Sequence, residues 1–164
     1  MEKELKNLIN ILEEELKLYQ KLHHLCQKEE ETVIKGNLKK LEEIIKNQES
    51  IFLQIKTWEE ARRKIIEILR KSLSLPNKVT LSRLIKATKR PFSSQLRIFH
   101  KKITSLIKDI DKINKSNIFL IEYSIKLIDE YFHFLTGVKS SPVYVPNGKN
   151  KKKYQLRKLI DQKT

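Results

Sequence analysis

The sequence predicts an all-α protein: an elongated antiparallel helical bundle, built like a coiled coil from three main helices and followed by a flexible basic C-terminal tail. Three observations point there. The 164 residues hold only three glycines and four prolines, well below the usual ~7% and ~5%, too few for the turns of a sandwich, barrel or propeller. Charged residues make up 34% of the chain and apolar residues 39%, a balance that suits long, surface-rich helices. Apolar residues recur at helical spacing over windows of about thirty residues.

The first helix spans 3–34, a stretch without glycine or proline. Leu5, Leu12, Tyr19, Cys26 and Val33 recur every seven residues, and Leu8 and Leu22 follow members of that series by three. Gly36 then breaks the pattern, and Asn37 is a good N-cap for the next helix. A break this short allows either a reversal or a kink. The second helix spans 38–73, with Leu41, Ile45, Gln48, Phe52 and Ile55 on one face and Ile66, Leu69 and Leu73 resuming it. Glu59 and Arg62 interrupt that face as an i,i+3 pair able to bridge along the helix, with Trp58 beside them. Pro76 and Asn77 mark a linker. Thr80 caps a short helix over 81–89, which Pro91 closes, because the residue before proline disfavours the helical region.

The last long helix covers 92–136. Leu96, Phe99, Ile103, Leu106, Ile110, Ile113, Asn117, Leu120, Ser124, Leu127, Tyr131 and Phe134 alternate by three and four throughout. That is a coiled-coil seam with Asn117 and Ser124 at a positions, where a polar residue costs stability and fixes register. The seam closes either within one chain or between two copies, so a homodimer is one way to bury it. Gly137 ends the helix. Residues 1–137 read as the bundle domain and 138–164 as an extended, basic, mobile tail.

Several function classes fall away. The longest apolar run is Ile118–Ile121, against about 20 residues for a membrane span, so no membrane insertion is expected. The opening MEKELK has no apolar region of the signal-peptide kind, and a lone cysteine builds no disulfide framework. The expectation is a cytoplasmic protein. Cys26 and His23 share a helical face, but no CxxC or HExxH pattern accompanies them, and Cys26 lies in the apolar stripe. His100 and His133 are scattered without a visible nucleophile–base pairing. We therefore expect no catalytic residue, no metal, no cofactor and no small-molecule substrate.

The positive signal is charge. Residues 1–72 carry 15 Lys/Arg and 14 Asp/Glu, whereas residues 73–164 carry 20 and 6. A basic half attracts nucleic acid, an anionic membrane surface or an acidic protein. Lys149–Lys153 contains four lysines in five positions with Tyr154 adjacent, and no DNA-binding motif accompanies it.

A resemblance narrows the choice. Residues 8–22 (LINILEEELKLYQKL) resemble the opening helix of FlgN-type flagellar export chaperones, and 29–44 (EEETVIKGNLKKLEEI) resemble their helix, small break, helix passage. Residues 58–63 (WEEARR) are similar to a hydrophobic-Glu-x-x-Arg segment of the family's second helix. Residues 113–121 (INKSNIFLI) are similar to the Asn-containing stretch of its last helix, and 143–148 (VYVPNG) to the Tyr-x-x-x-Gly element after it. The resemblance reaches Gly148. It implies a bacterial cytosolic chaperone of flagellar type III export. Such a chaperone covers the helical terminal segment of hook-associated proteins, prevents premature assembly and delivers them to the cytosolic domain of the export gate. Ile110, Ile113, Asn117, Leu120 and Leu127 are the expected client contacts, since a long amphipathic surface can receive a client helix by completing a bundle. By the same resemblance Tyr144, stiffened between Pro142 and Pro146, is the expected gate-docking residue. The competing class is a basic coiled-coil protein that binds nucleic acid or an anionic membrane surface.

Overall fold

Residues 1–77 and 79–136 are described by the computed structural model. They form α1 (Glu2–Ile34), α2 (Leu38–Ser72), α3 (Leu81–Ala87) and α4 (Phe92–Thr136). The three long helices fall within a residue of the expected bounds; α3 stops two residues short of residue 89. The predicted tail 138–164, with Tyr144 and Lys149–Lys153, lies outside the described residues.

The chain reverses at Gly36. Gly36 takes φ +65°, a left-handed conformation that costs glycine nothing. Its N–H donates to the carbonyl of Val33 at 3.1 Å and that of Asn37 to the carbonyl of Thr32 at 3.3 Å. These are the two bonds of a Schellman cap. The Asn37 Oδ1 then accepts from the Lys40 N–H at 3.1 Å and starts α2. Cross-links between the helices fix the direction: Glu29 meets Gln48 and Glu15 meets Arg62. Fourteen residues back along α1 match fourteen forward along α2, so the pair is antiparallel.

α2 ends in a second cap of the same kind, with Ser74 at φ 50° and the Leu75 N–H on the Arg70 carbonyl at 3.0 Å. The Thr80 hydroxyl caps α3 through the Arg83 N–H. Leu84 and Ile85 of α3 are buried and close this end of the core.

α4 returns along the other side of α1. Leu96, Ile103 and Ile110 are buried with Leu8, Leu12 and Leu22 in one cluster, and Asn117 bonds the Cys26 carbonyl. With Asn117 level with Cys26 and Glu29, an antiparallel α4 would carry Leu96 past the end of α1. Leu96 is fully buried, so α4 runs parallel to α1 and antiparallel to α2. The Cα atoms of α2 and α4 nowhere come within 8 Å of each other. α1 is thus the shared central helix. Leu5, Leu8, Leu12, Tyr19, Leu22 and Cys26 form its seam, and Ile11, Leu16 and Leu18 widen the buried face.

The α4 seam closes within one chain as far as Asn117. Beyond it Leu127 is 46% exposed and Phe134 85%. Leu12→Ala is expected to cost about 2–5 kcal/mol, because it opens a core cavity. Leu127→Ala should change stability by no more than about 0.5 kcal/mol. Urea denaturation followed by helical circular dichroism checks both.

Candidate functional site

Two polar layers interrupt the seam of α1. The position series Leu8, Glu15, Leu22, Glu29 repeats every seven residues, so both glutamates point where leucines would. Both are fully buried. Buried charge is tolerated only when it is paired or hydrogen-bonded.

At Glu29 all three long helices meet. The Gln48 amide of α2 donates to Glu29 Oε2 at 2.8 Å, and the Asn117 amide of α4 donates to the same oxygen at 3.2 Å. Asn117 also donates to the Cys26 carbonyl at 3.0 Å. On the rim, the Ser116 hydroxyl donates to Glu30 at 3.1 Å. The layer works as a register lock, since shifting either outer helix by one turn would strand a buried carboxylate. Cys26 is buried in this layer, its sulfur 3.8 Å from the Gln48 amide.

The second layer sits two heptads away, roughly 20 Å at 1.5 Å per residue. Arg62 Nη1 donates to Glu15 Oε2 at 3.1 Å. The Tyr19 hydroxyl donates to Glu59 at 3.3 Å, and Arg62 also reaches Glu59 at 3.8 Å. The pair expected along α2 is therefore secondary: Arg62 serves the carboxylate on the neighbouring helix. Burial pushes the Glu15 carboxyl up to about 7; Arg62 opposes this and Glu59 adds to it. Burial outweighs the ion pair, and the other carboxyl oxygen of Glu15 has no hydrogen-bond partner among the described residues. Tyr19 is held above the ordinary tyrosine range, first by burial and then by Glu59. Trp58 is half-buried and packs on the same core.

The predicted client contacts divide at the end of α1. Ile110 and Asn117 are buried against α1, and Ile113 packs on the core. These three form the interior of the chain's own seam. Leu120 is half-buried and Leu127 exposed. By the Asn117 register, Gly36 stands level with about residue 124 of α4. The last dozen residues of α4 project beyond α1, roughly 18 Å at 1.5 Å per residue. Ile125, Ile128, Tyr131 and Leu135 are exposed there, and Phe119 and Tyr123, level with the last turn of α1, are exposed just before them; Phe119 stacks on Tyr123 with centroids 6.3 Å apart. Such a group of large exposed apolar side chains on one helix is a candidate interaction site. Sequence reasoning misses Phe119, Tyr123, Ile125 and Ile128, which lie off the seam, although their helical spacing is there to be read.

The chain matches the family described as FlgN protein over residues 1–152. It belongs to the FlgN family. FlgN proteins are chaperones of flagellar export that bind flagellar proteins. No curated protein and no solved structure matches the chain. Among the described residues of this FlgN protein, no helix is long and apolar enough to cross a membrane. No group of three His, Cys, Asp or Glu among them is placed to hold a metal ion.

The raised Glu15 carboxyl has a consequence for stability. Between pH 4.5 and about 7 the folded chain holds a proton that the unfolded chain has released. Stability from this group is full below pH 4.5 and is lost as pH rises through 7. Glu15→Gln mimics the protonated form, so its melting temperature should vary less between pH 5 and 7.5 than that of the native chain. Thermal melts across that interval check it.

Proposed function

We propose that the projecting end of α4 holds the helical terminal segment of a hook-associated protein, keeps it from assembling and carries it to the export gate. The single observation that carries this reading is the exposed apolar surface that begins at Phe119, beside the last turn of α1, and runs on past the end of α1 to Leu135. An amphipathic client helix gains by burying its apolar face there at about 25 cal/mol per Å². While buried, that face is withheld from other copies of the client. Binding and release need no covalent chemistry, so the proposal includes no catalytic residue.

Leu120 and Leu127 remain contacts in this proposal. Ile110, Ile113 and Asn117 act at one remove, by fixing α4 to α1 so that its end is presented rigidly. Tyr144 remains the proposed docking residue for the cytosolic domain of the gate. The alternative of a nucleic-acid or anionic-membrane binder draws on the basic back half of the chain. Family membership weighs against it. So does the charge of the exposed end: residues 118–136 carry Glu122, Asp129 and Glu130 against Lys126 alone.

Titration calorimetry with purified hook-associated proteins from the same flagellum tests the reading. Combined alanine replacement of Phe119, Leu127 and Tyr131 is expected to weaken client binding by about tenfold or more, since a few residues, aromatics prominent among them, carry most of an interface's binding energy. Tyr144→Ala is expected to leave client affinity intact and to lower affinity for the cytosolic domain of the gate. Full client affinity in the triple variant contradicts the proposed surface, and unchanged gate affinity in Tyr144→Ala contradicts the proposed docking residue.

A further inference from the structure

α4 changes character as it approaches the end of α1. In the row one residue along from the seam, Arg97, His100, Thr104, Asp111 and Asn114 are polar, with Ile107 the one apolar member. From residue 118 the same row reads Ile118, Ile121, Ile125, Ile128, Phe132 and Leu135. The seam row continues beside it through Leu120, Leu127, Tyr131 and Phe134. Up to Asn114 there is one apolar row; the second begins at Ile118, beside the last turn of α1, and both rows run on past the end of α1. At 100° per residue the apolar arc of the projecting end runs from Tyr123 round to Ile125, roughly 200°, about twice the stripe a helix normally turns to a core. One helix lying on the seam row leaves the second row in water. Two helices side by side, with axes about 8–10 Å apart, cover both.

We infer that the end of α4 receives two helices at once, an antiparallel pair supplied by one client. The first lies on the seam row, in line with α1 and beyond its Gly36 cap. The second lies on the row from Ile118 to Leu135. This rests on the proposed client-holding role of the same surface. The slot for the first helix continues the α1–α4 interface already built within the chain: the three-four alternation that meets α1 up to Asn117 runs on unbroken to Phe134. The client's two helices pack on each other as they pack on α4 and complete a three-helix unit. Charge sets their flanks. Residues 118–136 carry a net charge of −2 in a chain of +15, and Glu122 and Asp129 border the second row. The helix on that row therefore carries basic flanking residues. The same acidic border disfavours a second copy of this chain as occupant. Antiparallel pairing of two copies along the isoleucine row centres between Ile125 and Ile128, which sets Glu122 of one copy opposite Asp129 of the other, like charge against like.

The test places the photo-crosslinking amino acid p-benzoylphenylalanine at position 127, on the seam row, or at position 128, on the second row, of the full chain. The chain is mixed with each full-length hook-associated protein of the same flagellum, irradiated, and the cross-linked peptides are mapped by mass spectrometry. Two different client segments, one from each position, are the expected result. A single client segment at both positions overturns the inference. So does a cross-link from position 128 to a second copy or to the chain's own residues 149–160. Calorimetry on Leu127→Glu and Ile128→Glu gives the second readout. Each is expected to weaken binding at least tenfold, about 1.4 kcal/mol, with an unchanged melting temperature. Native affinity in Ile128→Glu overturns the two-helix inference and leaves the client-holding role standing. Failure of the native chain to bind any hook-associated protein overturns both.

Discussion

The structure depends on one mismatch of length. α1 is the helix against which everything else is buried, and at 33 residues it is twelve residues shorter than the 45-residue α4 it supports. The Schellman cap at Gly36 stops α1, and the parallel register with α4 puts that stop near residue 124. Up to Asn117 the α4 seam is interior. Past it, side chains of the same chemical kind are surface. The apolar end of α4 is thus a consequence of where one cap falls, and it needs no groove carved into the core.

The polar layers make this arrangement unique. A seam of leucines alone tolerates sliding, because neighbouring heptads offer similar contacts. Glu29 removes that freedom, since Gln48 and Asn117 must reach the same carboxylate oxygen from opposite sides. The Glu15–Arg62 contact sets the α1–α2 register a second time. Both layers cost desolvation energy. Their return is specificity, the best-attested use of buried polar groups in coiled coils. With the register fixed, the face of α4 left exposed stays constant.

Much of this is legible in the sequence, for identifiable reasons. The three long helices and their breaks come from the spacing of apolar residues and from Gly36, Pro76 and Pro91, which are local signals. The reversal at Gly36 is not legible, because a cap and a kink share the same local residues. Only the long-range partners Gln48 and Arg62 decide it. In the sequence Asn117 reads either as a register residue or as a client contact, and its place opposite Cys26 and Glu29 puts it inside the chain. Ile110 looks available for the same reason: a continuous seam does not announce which part the chain itself will cover. Glu15 and Glu29 stand in the seven-residue series with Leu8 and Leu22, yet charge argues against a buried reading until partners on α2 and α4 are known. The doubling of the apolar rows after Asn114 is also written in the sequence. Its meaning depends on where α1 ends.

The central claim is that α4 is divided, between Asn117 and the end of α1 near residue 124, into a longer part held by α1 and an end that we propose receives a client. Hydrogen–deuterium exchange by mass spectrometry, on the full chain with and without a bound hook-associated protein, tests it most directly. The free chain should show slow exchange over residues 96–117 and much faster exchange over 121–136. Client binding should slow the second stretch and leave the first unchanged. Equal protection along the whole of α4 in the free chain, or protection gained on binding mainly within α1 and α2, would contradict the account.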